Sequence, residues 1–245
     1  MTLAPNESRS ATGADRSVHA HVADGLAEIK PTLRGWLHAV TAPLAFFLFL
    51  VMLVLADDTR VRLGVAVFMT SALLLFGTSA IYHTGTWSPK TWAFLRRFDH
   101  SNIFVLIAGS YTAFSLLLLD GTAEVALLTT VWAGAVLGVL FRIFWTDAPR
   151  WLYVPLYIAM GWAALFFIPA FFDGATALGL GVGIAVLVLI AAGGALYTLG
   201  GVVYGFKRPN PWPKYFGFHE VFHTFTVLAF ATHYVGVSLA TYNLR

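Results

Sequence analysis

The residues of this chain that could do chemistry are few, and they recur at helical spacing. His219 and His223 stand four apart in Phe218-His219-Glu220-Val221-Phe222-His223. On a helix that spacing puts both imidazoles on one face, about 6 Å apart along the axis. Two such rings can hold one metal ion. Ser79 and His83 are also four apart and share a face, and Asp99 adds a carboxylate. Three histidines and a water make a common catalytic Zn²⁺ sphere, beside which a carboxylate can act on the water or orient a ligand. His219-Glu220-Val221-Phe222-His223 also matches the HExxH pattern of metalloproteases, a short pattern prone to chance matches. Glu220 is either a general base of that kind or, as the favoured reading, a carboxylate snorkelling to an interface.

Whatever positions these groups must do so in lipid. Of 245 residues, 58% are hydrophobic and 11% charged, against about 25% charged in a soluble domain. Mean hydropathy is +0.75. So few charges cannot cover a water-facing surface, and the bilayer is the solvent for most of the chain. There are no cysteines, which excludes disulfide frameworks, thiolate metal sites and cysteine nucleophiles. A net charge of +3 is too small to suggest nucleic acid. Membrane lipids are the expected partners, and the oligomeric state is not legible.

Apolar stretches of spanning length need about 20 residues. Seven occur, over Leu37–Ala56, Leu63–Tyr82, Phe98–Leu119, Val125–Phe144, Trp151–Phe172, Leu178–Tyr204 and Phe216–Thr241. Short charged connections join them, so the expected fold is an all-α seven-helix transmembrane bundle over residues 33–245. Residues 1–32 are expected to be a disordered cytoplasmic tail, with no signal peptide. Twelve of the 15 lysines and arginines lie in the tail and the second, fourth and sixth connections. Arg60, Arg62 and Arg245 lie on the other side. The positive-inside rule then puts the N-terminus in the cytoplasm and the C-terminus outside.

That orientation groups the chemistry. The second span ends inside, and the third and seventh begin there. His83, Asp99, His219 and His223 therefore share one cytoplasmic layer. Separate interfacial histidines are the alternative, but common depth, ligand spacing and an adjacent carboxylate favour a metal. Polar groups within spans are expensive and point to function by default. His100 adjoins Asp99 but points about 100° away on a helix. His233 is too deep for the same ion and is expected to be a buried hydrogen-bonding group, with a role toward a proton or substrate as the alternative. His38 is expected at the interface. Gly193, Gly194, Gly200 and Gly201 are read as close helix packing rather than a dimer face. Pro43, Pro155 and Pro169 are expected to kink helices. Trp36, Trp87, Trp92, Trp145, Trp151 and Trp212 are read as an interfacial belt.

At these residues the sequence resembles the hemolysin III family, within the progestin and adipoQ receptor (PAQR) superfamily and more distantly related to alkaline ceramidases. Ser79-Ala80-Ile81-Tyr82-His83 is similar to the family's SxxxH. Asp99 in RRFDHSNIFVLIAGSYT is similar to its aspartate segment, and His219-Glu220-Val221-Phe222-His223 to its HxxxH. The resemblance covers about Leu33 to Thr241. It implies a Zn²⁺ held by His83, His219 and His223 with a water, and Asp99 and Ser79 next to that water. It also implies hydrolysis of a lipid amide or ester bond, while the short connections and missing signal peptide suit the plasma membrane of a bacterium.

Three functions compete. In a zinc-dependent lipid hydrolase, Asp99 would accept the proton of the water, and Ser79 would bond the water or the developing oxyanion. In a receptor or lipid-homeostasis sensor the Zn²⁺ would be structural. A pore or hemolysin would need polar residues through the full membrane thickness and ranks last. The orientation can be tested first, since the chain has no cysteine of its own. A cysteine added after Asn243 should react with an impermeant thiol reagent in intact cells, and one at Ser10 should not; the reverse pattern would invert the topology.

Overall fold

The structure, a computed structural model, describes residues 33–244. The helices are α1 (Trp36–Leu55), α2 (Thr59–Thr84), α3 (Pro89–Leu118), α4 (Gly121–Phe144), α5 (Arg150–Gly161), α6 (Ile168–Ala177), α7 (Leu180–Phe206) and α8 (Phe218–Asn243). α5, a 3₁₀ turn at Ala163–Phe167 and α6 together form one span. Among the described residues, seven helical segments are thus long and apolar enough to cross a membrane. There is no strand among them, only an isolated bridge between Trp212 and Phe216. The fold is therefore the expected all-α membrane bundle. The tail expected over residues 1–32 lies outside the described residues.

Local signals explain where helices begin. The Asp58 carboxylate accepts from the backbone N–H groups of Arg60 (2.7 Å) and Val61 (3.1 Å), capping α2. Ser88 Oγ accepts from the Thr91 N–H at 3.3 Å, with Pro89 in the first turn of α3. The third helix therefore starts well before Phe98. Lys90 to Arg97 is too polar to read as a span but continues the same helix, so Asp99 lies inside α3 rather than opening it. In the fifth span, Pro155 lies within α5 and Pro169 begins α6, with the 3₁₀ turn between them. Pro43 is accommodated inside α1 without a break.

α3 is the central helix. In its most apolar window 78% of residues are buried, against 17–50% in the other spans. It packs on α2, α4, α6 and α8, while α1 joins α2 to α8 and α7 joins α8 to the fifth span. The α2–α3 contact is close because Gly109 faces Ser71; a Cβ at Gly109 would stand 2.1 Å from Ser71 Oγ. Asn102 Nδ2 donates to Leu74 O (3.0 Å) and Thr78 Oγ1 (3.1 Å), locking the register of the two helices. At one end Arg60 ties α2 to the end of α3 and the start of α4. It donates to Leu116 O (2.9 Å), Leu119 O and Glu124 Oε2 (2.7 Å). All six tryptophans named above are exposed, as a lipid-interface belt requires.

At the other end stands Glu220, which does not snorkel. It is fully buried. Its Oε1 accepts from Arg34 Nε at 2.8 Å and its Oε2 from the Gly217 N–H at 2.8 Å. Both oxygens are thus engaged in tying the segment before α1 to the first turn of α8. Glu220 is thereby committed to a structural tie, and it is not part of the cavity lining where His219 and His223 lie. Arg142, counted above as a connecting-segment cation, is also buried; it donates to Thr146 O at 3.1 Å and its guanidinium lies 4.4 Å from the Tyr153 ring centre. Removing one partner of a buried pair leaves the other uncompensated. Glu220→Ala should therefore cost about 3 kcal/mol of stability, read as a lowered thermal midpoint in detergent. Arg34→Ala added to it should cost little more; full additivity would show that the two do not act as a pair.

Candidate functional site

The end of α2, the starts of α1 and α8, the interior of α3 and one turn build the site. His83 lies in the last turn of α2, and His219 and His223 in the first turns of α8. Gly35, the residue before α1, has φ +89°, a conformation that an L side chain rarely adopts. A Cβ there would stand 2.7 Å from His83 Cβ, so both the backbone turn and the contact with His83 call for glycine.

His83, His219 and His223 come together. Each offers a ring nitrogen, and the three nitrogens lie within 4.8 Å of one another. Ring centres are 4.6 Å apart for His219–His223, 4.8 Å for His83–His219 and 5.2 Å for His83–His223. Zn–N bonds of about 2.0–2.1 Å in a tetrahedron separate nitrogens by roughly 3.4 Å, so modest ring rotations close the difference. His223 Nδ1 is buried with no hydrogen-bond partner among the described residues. Such an atom in a trio of neutral donors fits a bound divalent cation.

Asp99 stands beside the trio rather than in it. Its Oδ2 is 3.8 Å from His83 Nε2 and 3.9 Å from His100 Nδ1. Ser79 is buried one turn deeper on α2, next to the Asp99 carboxylate. His100, set aside in the sequence for its helical position, nevertheless lines the same cavity beside Asp99. Its Nδ1 lies 2.7 Å from Arg96 O and its Nε2 3.3 Å from Tyr204 Oη.

One residue that sequence reasoning set at the interface belongs to the site. His38 is only 2% exposed, and its ring stacks on His223 with centres 3.9 Å apart and planes 21° apart. The depth argument could have found it, because the first span also begins on the side where the seventh does. Tyr204 and Tyr153 were also missed. Their hydroxyls lie 3.3 Å apart, and the Arg150 guanidinium covers the Tyr204 ring at 4.6 Å.

The site heads a cavity of about 350 Å³. His38, Ser79, Asp99, His219 and His223 line it at one end. From there it follows α3 to Phe114 and α8 to His233, past the broken fifth span. Most of the wall is aliphatic or aromatic, the lining that receives an apolar ligand held by a few polar groups.

The model of the family described as "Haemolysin-III related" matches residues 26–234. Two similar proteins are the "Hemolysin-3 homolog" of Bacillus subtilis (strain 168) and the "Hemolysin-3" of Bacillus cereus. The first is 35% identical over 161 residues, which are 66% of this chain and 69% of that protein. The second is 32% identical over 166 residues, 67% of this chain and 66% of that protein. The chain belongs to the haemolysin-III family, part of the PAQR superfamily, and is a multi-pass membrane protein.

The His38 stack constrains the His223 ring without touching its edge. His38→Phe should keep metal content unchanged. His38→Ala should weaken metal affinity by roughly tenfold, the low end of what losing an orienting group costs a ligand. Chelator competition on purified protein measures both, and equal affinities in the two variants would show that the stack orients nothing.

Proposed function

We propose that this member of the haemolysin-III family is a zinc-dependent hydrolase of a lipid amide or ester bond, set in the plasma membrane of a bacterium. The observation that carries this reading is the convergence of His83, His219 and His223 at the end of a long apolar cavity that His219 and His223 line. Among the described residues, three donors converge and no fourth His, Cys, Asp or Glu joins them. Three protein ligands with a position left for water or substrate is the pattern of catalytic zinc, whereas structural zinc has four. His83, His219 and His223 would hold the ion.

Bound there, Zn²⁺ supplies a water acidified to near neutrality and polarises a carbonyl. The chain's residues do the rest. The cavity takes an acyl chain and excludes water along its length, presenting the ester or amide at the trio. Asp99, within 4 Å of His83, accepts a proton as the carbonyl is attacked and can return it to the leaving group. Ser79, which lines the cavity, would donate a hydrogen bond to the oxygen that gains charge. Glu220 has no part, since it lies outside the cavity lining and serves the pair with Arg34. The two Bacillus relatives support the bacterial placement.

Purified protein should carry about one Zn²⁺ per chain, and His219→Ala and His223→Ala should each lose most of it. Asp99→Asn, close in shape but a far poorer base, should keep zinc and fold yet lose turnover of amide- and ester-linked lipids by roughly 10²-fold or more. Zinc falling together with activity in Asp99→Asn would make Asp99 a ligand. Wild-type turnover no greater than that of a metal-stripped control, across a broad lipid panel, would replace the hydrolase with a lipid-sensing receptor.

A further inference from the structure

Two polar groups on the cavity wall, far from the trio, are buried without a partner. Tyr197 Oη and His233 Nδ1 have no hydrogen-bond partner among the described residues. Both residues line the cavity, from α7 and α8, with ring centres 5.6 Å apart. His233 is 8% exposed. It lies ten residues beyond His223 on α8, about 15 Å deeper at 1.5 Å per residue. Its ring is set into α7 at Gly193, where a Cβ would stand 2.3 Å from Nε2.

The neighbouring polar groups on the wall are satisfied from within the protein. Ser110 Oγ donates to Ile107 O at 2.9 Å, Thr198 Oγ1 to Gly194 O at 2.8 Å and Tyr111 Oη to Gly161 O at 2.7 Å. Burying a polar group without a partner costs about 1–3 kcal/mol, and with the two rings adjoining on the cavity wall a ligand group that pairs with both would relieve both costs.

The hydrogen positions follow from the partners. His233 Nε2 lies 3.2 Å from Ile190 O, and a carbonyl oxygen can only accept. Nε2 therefore carries the hydrogen, and Nδ1 of the neutral ring is an acceptor. Tyr197 Oη has a hydrogen to donate. One acceptor beside one donor matches a hydroxyl, which donates to Nδ1 and accepts from Tyr197. A methylene leaves both groups unpaired, and a ketone pairs only with Tyr197.

We infer that Tyr197 and His233 form a subsite for a hydroxyl carried partway along a lipid chain whose polar end sits at the histidine trio. The 15 Å between His223 and His233 along α8 corresponds to a chain of about ten to twelve carbons. The preferred ligands are thus acyl chains hydroxylated near that position. The inference rests on the reading of the cavity as a lipid site, and not on hydrolysis.

Displacement of a fluorescent fatty acid from the purified, as-isolated protein in nanodiscs tests it. The competitors are octadecanoic acid and its 6-, 10- and 12-hydroxy derivatives. The 10- or 12-hydroxy acid should bind about tenfold tighter than octadecanoic acid, the worth of one or two net hydrogen bonds. The 6-hydroxy acid should show no such gain. Tyr197→Phe, which keeps the ring, should abolish the preference while octadecanoic acid binds as before, and His233→Gln should reduce it. Equal binding of all four acids to wild type, or a preference that survives Tyr197→Phe, overturns the subsite while leaving the lipid cavity standing. No binding of any fatty acid, the fluorescent one included, removes the lipid cavity and the subsite with it.

Discussion

The ion pair between Arg34 and Glu220 holds the end of the bundle where the histidines meet. A buried carboxylate must have its oxygens engaged, and here one takes the Arg34 guanidinium while the other takes the Gly217 N–H at the start of α8. Glu220 is flanked in sequence by the two ligand candidates, one residue after His219 and three before His223. Fixing its side chain fixes the rotation and height of the first turn of α8. The same pair draws in the segment before α1. Gly35 then lies against His83, and His38 lies flat on His223. Four imidazoles thus come together at the end of the bundle that the charge pair holds.

The remaining placement comes from α2 and α3. Gly109 allows these helices to approach closely, and Asn102 sets their register through Leu74 and Thr78. Asp99 lies three residues before Asn102 on α3, and His83 five residues after Thr78 on α2, so the register that satisfies the amide also sets carboxylate beside imidazole. Within a bilayer such bonds have no competing water, and a slip of one turn would strand Asn102 and Asp99 together.

The broken fifth span shapes the cavity. Its 3₁₀ turn leaves backbone groups unpaired within the span, and Tyr111 on α3 takes up part of that demand. Its hydroxyl donates to Gly161 O and accepts from the Ala164 N–H at 2.9 Å. Irregular backbone at membrane depth is tolerated where protein covers it or a cavity adjoins it, and both conditions hold here. Arg142 and Arg150 at the span's entrance are covered by tyrosine rings, and Tyr204 links that aromatic group to His100 behind the trio.

The amino-acid sequence by itself determined the class of fold, the number of spans and the grouping of His83, Asp99, His219 and His223. Hydropathy suffices for the spans because a bilayer demands long apolar helices. His83, Asp99, His219 and His223 were legible because helical spacing and the alternation of span direction give face and depth without knowledge of packing. Glu220 was misread for the same reason: spacing said where it starts, while its ion pair is with Arg34, 186 residues away. His38 carried the depth signal but no ligand spacing, and only the α1–α8 contact shows that it stacks on His223. The early start of α3 was hidden because a polar helical stretch leaves no hydropathy signal. The cavity and the pairing of Tyr197 with His233 belong wholly to the tertiary structure, because a void and an unsatisfied hydrogen bond are properties of how helices meet and not of any one of them.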